Sequence, residues 1–282
     1  MNCAVCTYDD FIETHYTFAN SFFPGPSAMR ESGIKSTLPL RSAQPLYKQI
    51  ERSMLQCLAN GEWKAGEQLP TESELAKRFG VAIYTVRAGI GALVHAGILT
   101  RKQGKGTFVA RHERDRTRQV LTKIFDHEHR QIVPTSQKVT FFRKQLADER
   151  ARTLLSLDQR RKSHVYHWEV LVEVGGNAVC VRRMTVPAGL FPGLTGSVLR
   201  ANRHNLYALY QDLCGVNIIR LEDRVYAIKA DAQSARVLGV KQGGPLLKIE
   251  RVAFTYNEVP VEIRTHFYDS ARFHYCADQP GV

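Results

Sequence analysis

The chain has 282 residues, 44% hydrophobic and 23% charged, an ordinary balance for folded protein and enough for about two domains. Lys and Arg number 39 against 27 Asp and Glu, a net charge of +12 that favours polyanionic partners without separating nucleic acid from an anionic membrane surface. That composition excludes a wholly disordered chain, a collagen-like repeat and a small disulfide scaffold. No run of about 18 apolar residues is present, so no membrane-spanning helix and no membrane partner are expected.

Residues 1–37 contain Pro24-Gly25-Pro26-Ser27 and no sustained periodicity, and read as a disordered tail in which Met29 is a candidate translation start. Tyr8-Asp9-Asp10 and Glu13 stand where a secretory leader needs basic and apolar residues. The six cysteines, Cys3, Cys6, Cys57, Cys180, Cys214 and Cys276, are scattered, which fits a reducing cytoplasm. Cys3-x-x-Cys6 has no second Cys/His pair at metal spacing and reads as chance; no metal or other cofactor is expected.

From Pro39 the sequence becomes periodic. Leu46, Ile50, Met54, Leu55 and Leu58 recur at helical spacing up to Asn60-Gly61. After the turn at Gly66–Pro70, Thr71-Glu72-Ser73-Glu74 has capping-box spacing and predicts a short helix with Leu75, Ala76 and Phe79 inward, closed by Gly80. A second helix over about 83–96 buries Val86, Ile90, Leu93 and Val94 and stops at Gly97. Two short helices across a tight turn describe a helix-turn-helix. Ile98–Arg101, the loop Lys102-Gln103-Gly104-Lys105-Gly106 and Thr107-Phe108-Val109 then read as a hairpin, the wing of a winged helix.

A helix of that kind fits the major groove of double-stranded DNA and brings its first turn to base edges. Ile83, Tyr84 and Arg87 point away from the apolar stripe: Arg87 can fork onto guanine or bind phosphate, Tyr84 can reach phosphate, and Ile83 can touch a thymine methyl. Lys102 and Lys105 can neutralise phosphates, while Gly104 and Gly106 permit close backbone approach. Residues 38–118 hold 14 Lys and Arg against 7 Asp and Glu. The same basic rim also suits a protein-binding scaffold. Gly104-Lys105-Gly106-Thr107 lacks phosphate-loop spacing.

Pro45-Leu46-Tyr47-x-Gln49-Ile50, Gly66-x-x-Leu69-Pro70-Thr71-Glu72-x-x-Leu75-Ala76, Gly80-Val81, Thr85-Val86-Arg87, Gly97 and Gln103-Gly104-x-Gly106-Thr107-Phe108-Val109 resemble, in order, the GntR family of bacterial transcription regulators. The resemblance implies a homodimer on a pseudo-palindromic operator, with Thr71, Ser73, Ile83, Tyr84, Thr85, Arg87, Lys102, Gln103, Gly104, Lys105 and Gly106 at the DNA. Relatives usually carry Ser-Arg where this chain has Ala82-Ile83, and often Arg where Ser73 stands, so an altered operator is expected. Gly89 and Gly91 each cost about 1 kcal/mol inside a helix relative to alanine.

Residues 113–135 are dense in charge and read as a linker, partly helical around Val120, Leu121, Ile124 and Phe125, either extending the basic surface or merely solvated. After Pro134 strands dominate: a hairpin over 165–174 and 178–186 across Gly175-Gly176-Asn177, a helix near 206–210, a strand through 225–228, a helix over 232–238, and strands 246–256 and 261–268. The fold class expected is α+β: an N-terminal winged helix-turn-helix domain (38–112) joined to a C-terminal mixed α/β domain (136–282).

Pro187-x-x-Leu190-Phe191-Pro192-Gly193-Leu194, Leu206-Tyr207, Ala235-x-x-Leu238-Gly239-Val240, Gly244-Pro245-Leu246-Leu247-x-Ile249-Glu250-Arg251 and Pro260-Val261-Glu262 resemble the UTRA effector domain of HutC-type regulators, similar in fold to chorismate lyase. That resemblance implies a small-molecule effector and, as ligand-binding positions, Arg182, Asn205, Glu262 and Tyr268. The paired arginines of sugar-phosphate-sensing relatives correspond to Val170 and Val172, and their glutamate to Arg182. An anionic or zwitterionic ligand with an apolar part would suit these residues; equally, Arg182 and Glu262 could pair with each other across the sheet. His167, His204 and His266 read as ordinary sheet or surface histidines. No nucleophile or acid–base pair can be picked out, so a lyase-like enzyme is the least favoured reading. The expectation is a ligand-responsive DNA-binding regulator, most simply a repressor released by its ligand.

Overall fold

The computed structural model describes residues 44–111, 123–202 and 205–277. The expected tail with Cys3, Cys6 and Met29, much of the linker, and His204 lie outside the described residues.

Helices α1 (Leu46–Ala59), α2 (Glu72–Phe79) and α3 (Ile83–His95) enclose one apolar core of Ile50, Met54, Leu58, Leu75, Phe79, Val86, Ile90 and Leu93. Thr71 caps α2 with both halves of the capping box formed, and Gly80 ends it at φ 67°, where a Cβ would be strained. Ala82 gives α3 no side-chain cap, as expected from the missing hydroxyl. Leu46, assigned to the apolar stripe, lies exposed at the start of α1. Gly89 is the close-approach point: a Cβ there would lie 3.0 Å from Ile50 Cγ2 and 3.3 Å from the Tyr47 carbonyl oxygen, whereas Gly91 faces open space. The wing is β1 (Leu99–Lys102) against β2 (Gly106–Val109), with Leu69 N donating to Thr107 O and Val109 N to Glu67 O.

The second domain is a six-stranded antiparallel sheet in the order β4-β5-β6-β9-β8-β7. Its strands are β4 (Ser136–Leu146), β5 (His164–Val174), β6 (Asn177–Pro187), β7 (Arg220–Lys229), β8 (Pro245–Thr255) and β9 (Val259–Asp269). Gly175 and Gly176, both at positive φ, make the two-residue turn that pairs β5 with β6. One face carries Trp168, Val170, Val172, Cys180 and Met184 beneath α5 (Gly196–Ala201) and α6 (Leu206–Cys214). The other is covered by α4 (Glu149–Leu154) and α7 (Ala232–Leu238).

One expectation is corrected. Within the stretch assigned to the linker, Ile124–Asp126 forms a strand, β3, paired with β10 (Phe273–Tyr275), and Ile124 and Phe125 are buried. Two adjacent apolar residues among charges carry no periodicity, and their partner lies at the far end of the domain, so local reading had nothing to detect.

Candidate functional site

The capping box sets the first turn of α2, where Thr71 N donates to Glu74 Oε2 at 2.8 Å. Glu72, next in line, reaches out of that turn and accepts from Arg87 Nε at 2.8 Å and Arg101 Nη2 at 3.2 Å. One carboxylate thus ties α2, α3 and the wing together. The groove between them, about 590 Å³, is lined by Thr71, Ser73, Ile83 and Arg87, and on the wing side by Lys102, Gln103, Gly104 and Gly106. Eight of the eleven positions expected at DNA therefore converge. The other three do not line it: Tyr84 stands 79% exposed, Thr85 is half-buried, and Lys105 sits exposed in the wing turn. Gln68 Nε2 donates to the Lys105 carbonyl at 2.8 Å and steadies that turn. Glu72, Arg101 and Gln68 were not singled out from the sequence; the signal for Arg101 was its outward place in a predicted wing strand.

On the sheet, register brings a second set together. Arg182 pairs with His266, and Arg264 with Arg251, so the four project from one face of β6, β9 and β8. Glu262, wholly buried, accepts from Tyr210 Oη at 2.6 Å, Tyr207 Oη at 3.2 Å and Arg264 Nη2 at 2.8 Å. Arg251 forks onto Asp223 through Nε at 2.6 Å and Nη2 at 2.7 Å. Arg182 Nη1 donates to Gln137 Oε1 at 3.1 Å, so the cross-sheet pairing of Arg182 with Glu262 does not form. Tyr268 stacks on His266, its hydroxyl 3.2 Å from Nδ1.

Burial and then the Arg182, Arg251 and Arg264 charges push His266 far below the ordinary imidazole range. Burial, followed by the Glu262 charge, raises the Tyr210 phenol, and burial also raises the Tyr207 and Tyr268 phenols. His266 is thus no ordinary sheet histidine but a neutral ring inside a cationic cluster. Asn205 does something else: its Oδ1 accepts from Ala208 N at 3.2 Å and caps α6. Arg251, Arg264, Tyr207 and Tyr210 were not among the ligand-binding positions expected from the sequence, although Tyr207 and Arg251 stand in the motifs that carry the resemblance. For Arg264 a signal existed, since Glu262, Arg264, His266 and Tyr268 alternate along a predicted strand.

Beside this cluster lies a cavity of about 580 Å³, whose wall includes Tyr207, Asp223 and Arg251 from the sheet domain and Ile98 and Ala110 from the winged domain. Arg182, Asn205, Glu262 and Tyr268 do not line it.

Comparison with known proteins places both halves. Residues 46–109 match the gntR family of bacterial regulatory proteins, and residues 130–274 match the UTRA domain. The chain belongs to the gntR family and carries a UTRA domain. It is 26% identical over 226 residues to the probable fructoselysine utilization operon transcriptional repressor of Escherichia coli (strain K12), covering 80% of this chain and 91% of that protein. The transcriptional repressor NagR of Bacillus subtilis is 26% identical, covering 83% and 94%. The histidine utilization repressor of Pseudomonas putida is 28% identical, covering 73% and 81%. Among solved structures, the ligand-binding domain of a protein assigned to the GntR family, from Bordetella bronchiseptica, superposes with a TM-score of 0.51 at 24% identity, over 56% of this chain and 96% of that one. That likeness is one of fold.

This GntR–UTRA protein is accordingly a ligand-responsive transcriptional regulator and not an enzyme: its winged helix binds DNA and its UTRA domain binds a small-molecule effector. Among the described residues, no helix is long and apolar enough to cross a membrane.

Proposed function

We propose that the chain is a cytoplasmic repressor that binds a pseudo-palindromic operator as a homodimer and leaves it when an anionic effector occupies the arginine face of the UTRA sheet. The observation that carries the DNA half is the groove in which Arg87 and Arg101 fork onto Glu72 between the first turn of α3 and the wing. Arg87 is exposed and tethered rather than buried, so its guanidinium can exchange Glu72 for a base edge or phosphate. That three relatives carry the name repressor supports the sign of regulation.

Ligand and operator then prefer different arrangements of the dimer, and each weakens the other by the same factor. Gel-shift titration against the DNA flanking the protein's own gene tests this reading. Arg87→Ala is expected to lower operator affinity by about 1–3 kcal/mol, and wild-type affinity is expected to fall steeply with salt. An Arg87→Ala titration that overlays wild type removes the residue from the interface. Affinity that stays flat as salt rises favours the protein-binding scaffold instead.

A further inference from the structure

Among the described residues, the buried side-chain atoms with no hydrogen-bond partner are Arg182 Nε, Arg251 Nη1, Arg264 Nε and His266 Nε2. All four fall in one place, on one face of three adjacent strands. Buried N–H groups left unpaired are costly, so a cluster of them marks where an acceptor belongs. The three arginine nitrogens are obligate donors, and the His266 Nε2 beside them donates in the tautomer that leaves Nδ1 to accept from the Tyr268 hydroxyl.

Charge counting narrows the acceptor. Three arginines face two carboxylates, Glu262 and Asp223, with His266 neutral, which leaves one positive charge in excess. A ligand with one negative charge cancels it, whereas a dianion reverses it. Both carboxylates already hold a guanidinium, so a ligand ammonium would have to share one: Glu262 accepts from Tyr207, Tyr210 and Arg264, and Asp223 from Nε and Nη2 of Arg251. Val170 sits in register with Arg182, and Val172 and Trp168 flank it on the same face, so the buried surroundings of the cluster are apolar.

We propose that the effector is a monoanionic carboxylic acid with an apolar body and no ammonium group, its carboxylate received by Arg182, Arg251, Arg264 and His266. This rests on the reading of the UTRA domain as the effector site and adds the chemical class.

The test is calorimetric titration of the full chain with phenylacetate and three matched probes: phenylacetamide (neutral), phenylalanine (zwitterionic) and phenyl phosphate (dianionic). Phenylacetate is expected to bind at least about tenfold more tightly than each of the others. Arg182→Met is expected to weaken phenylacetate about tenfold or more, and Arg182→Lys to recover part of the loss. Thermal melting of each variant checks its folding, and the wild-type series stands without them. Equal or tighter binding of any matched probe, no binding of phenylacetate, or an affinity indifferent to Arg182→Met in a folded chain overturns the proposal. Operator binding measured on the same preparation keeps the two readings apart. If the chain binds operator but not phenylacetate, the acid assignment falls and the regulator stands; the opposite pattern sinks the regulator alone.

Discussion

His266 sits where an imidazolium would be least welcome, buried and ringed by Arg182, Arg251 and Arg264. Its folded pKa is depressed below the unfolded value of about 6.5, so the unfolded chain takes up a proton first as pH falls. Stability should therefore be full above that value and drop on acidification, by up to about 1.4 kcal/mol per pH unit from this one group. His167, half-buried near Arg143 and Arg183, shifts in the same direction, burial being the larger cause. Urea unfolding at pH 7.5 and 5.5 should show the loss, with a smaller loss in His266→Gln. Equal stability of wild type at both values would mean the ring is charged in the folded state. At this scale the sequence marked single residues well when their chemistry was local, as with Thr71 and Glu74. It marked Arg182 and Glu262 but left their pairing open, because the partner of each is chosen by strand register and by α6.

Elements were legible wherever a repeat or a punctuating residue announced them. The three helices of the head and the Gly175-Gly176 turn follow from spacing and from backbone conformations that glycine adopts without strain. What spacing could not tell apart were two glycines of one helix. Gly89 lets α3 approach α1 at Ile50, while Gly91 touches nothing. Gly91→Ala should therefore stabilise the chain by up to about 1 kcal/mol, whereas overpacking against Ile50 and the Tyr47 carbonyl should make Gly89→Ala destabilising by about 1 kcal/mol. Chemical denaturation followed through Trp63, buried in the head, separates the two; the same sign for both would refute the packing argument. Strand β3 was lost in a run of charges for want of any period to read.

Across the whole molecule, the turn joining β8 to β9 docks on the winged domain. Tyr256 is buried in the core of the head, and Asn257 Nδ2 donates to Gln56 Oε1 of α1 at 3.3 Å. Gln211, one residue beyond the Tyr210 that holds Glu262, donates to the Ala110 carbonyl at 3.3 Å. These contacts link the arginine cluster to the DNA-binding head. Tyr256→Ala should uncouple their unfolding, so that Trp63 in the head reports an earlier thermal transition than Trp168 in the sheet domain, while wild type shows both together. Coincident transitions in the variant would deny the turn that role.

Amino-acid order alone determined the three helices and wing of the head and the β5–β6 hairpin, that the first domain is a basic winged helix, and that the second half is a mixed sheet domain. Those features follow from periodicity, capping and turn chemistry, which act over a few residues. Tertiary structure decided which charges meet: Glu72 with Arg87 and Arg101, Glu262 with Arg264 rather than Arg182, and four unpaired side-chain nitrogens on one face of the sheet. Pairing across strands depends on register between distant segments, and the energy of a charge depends on how deeply its neighbours bury it, neither of which is a local property of the chain.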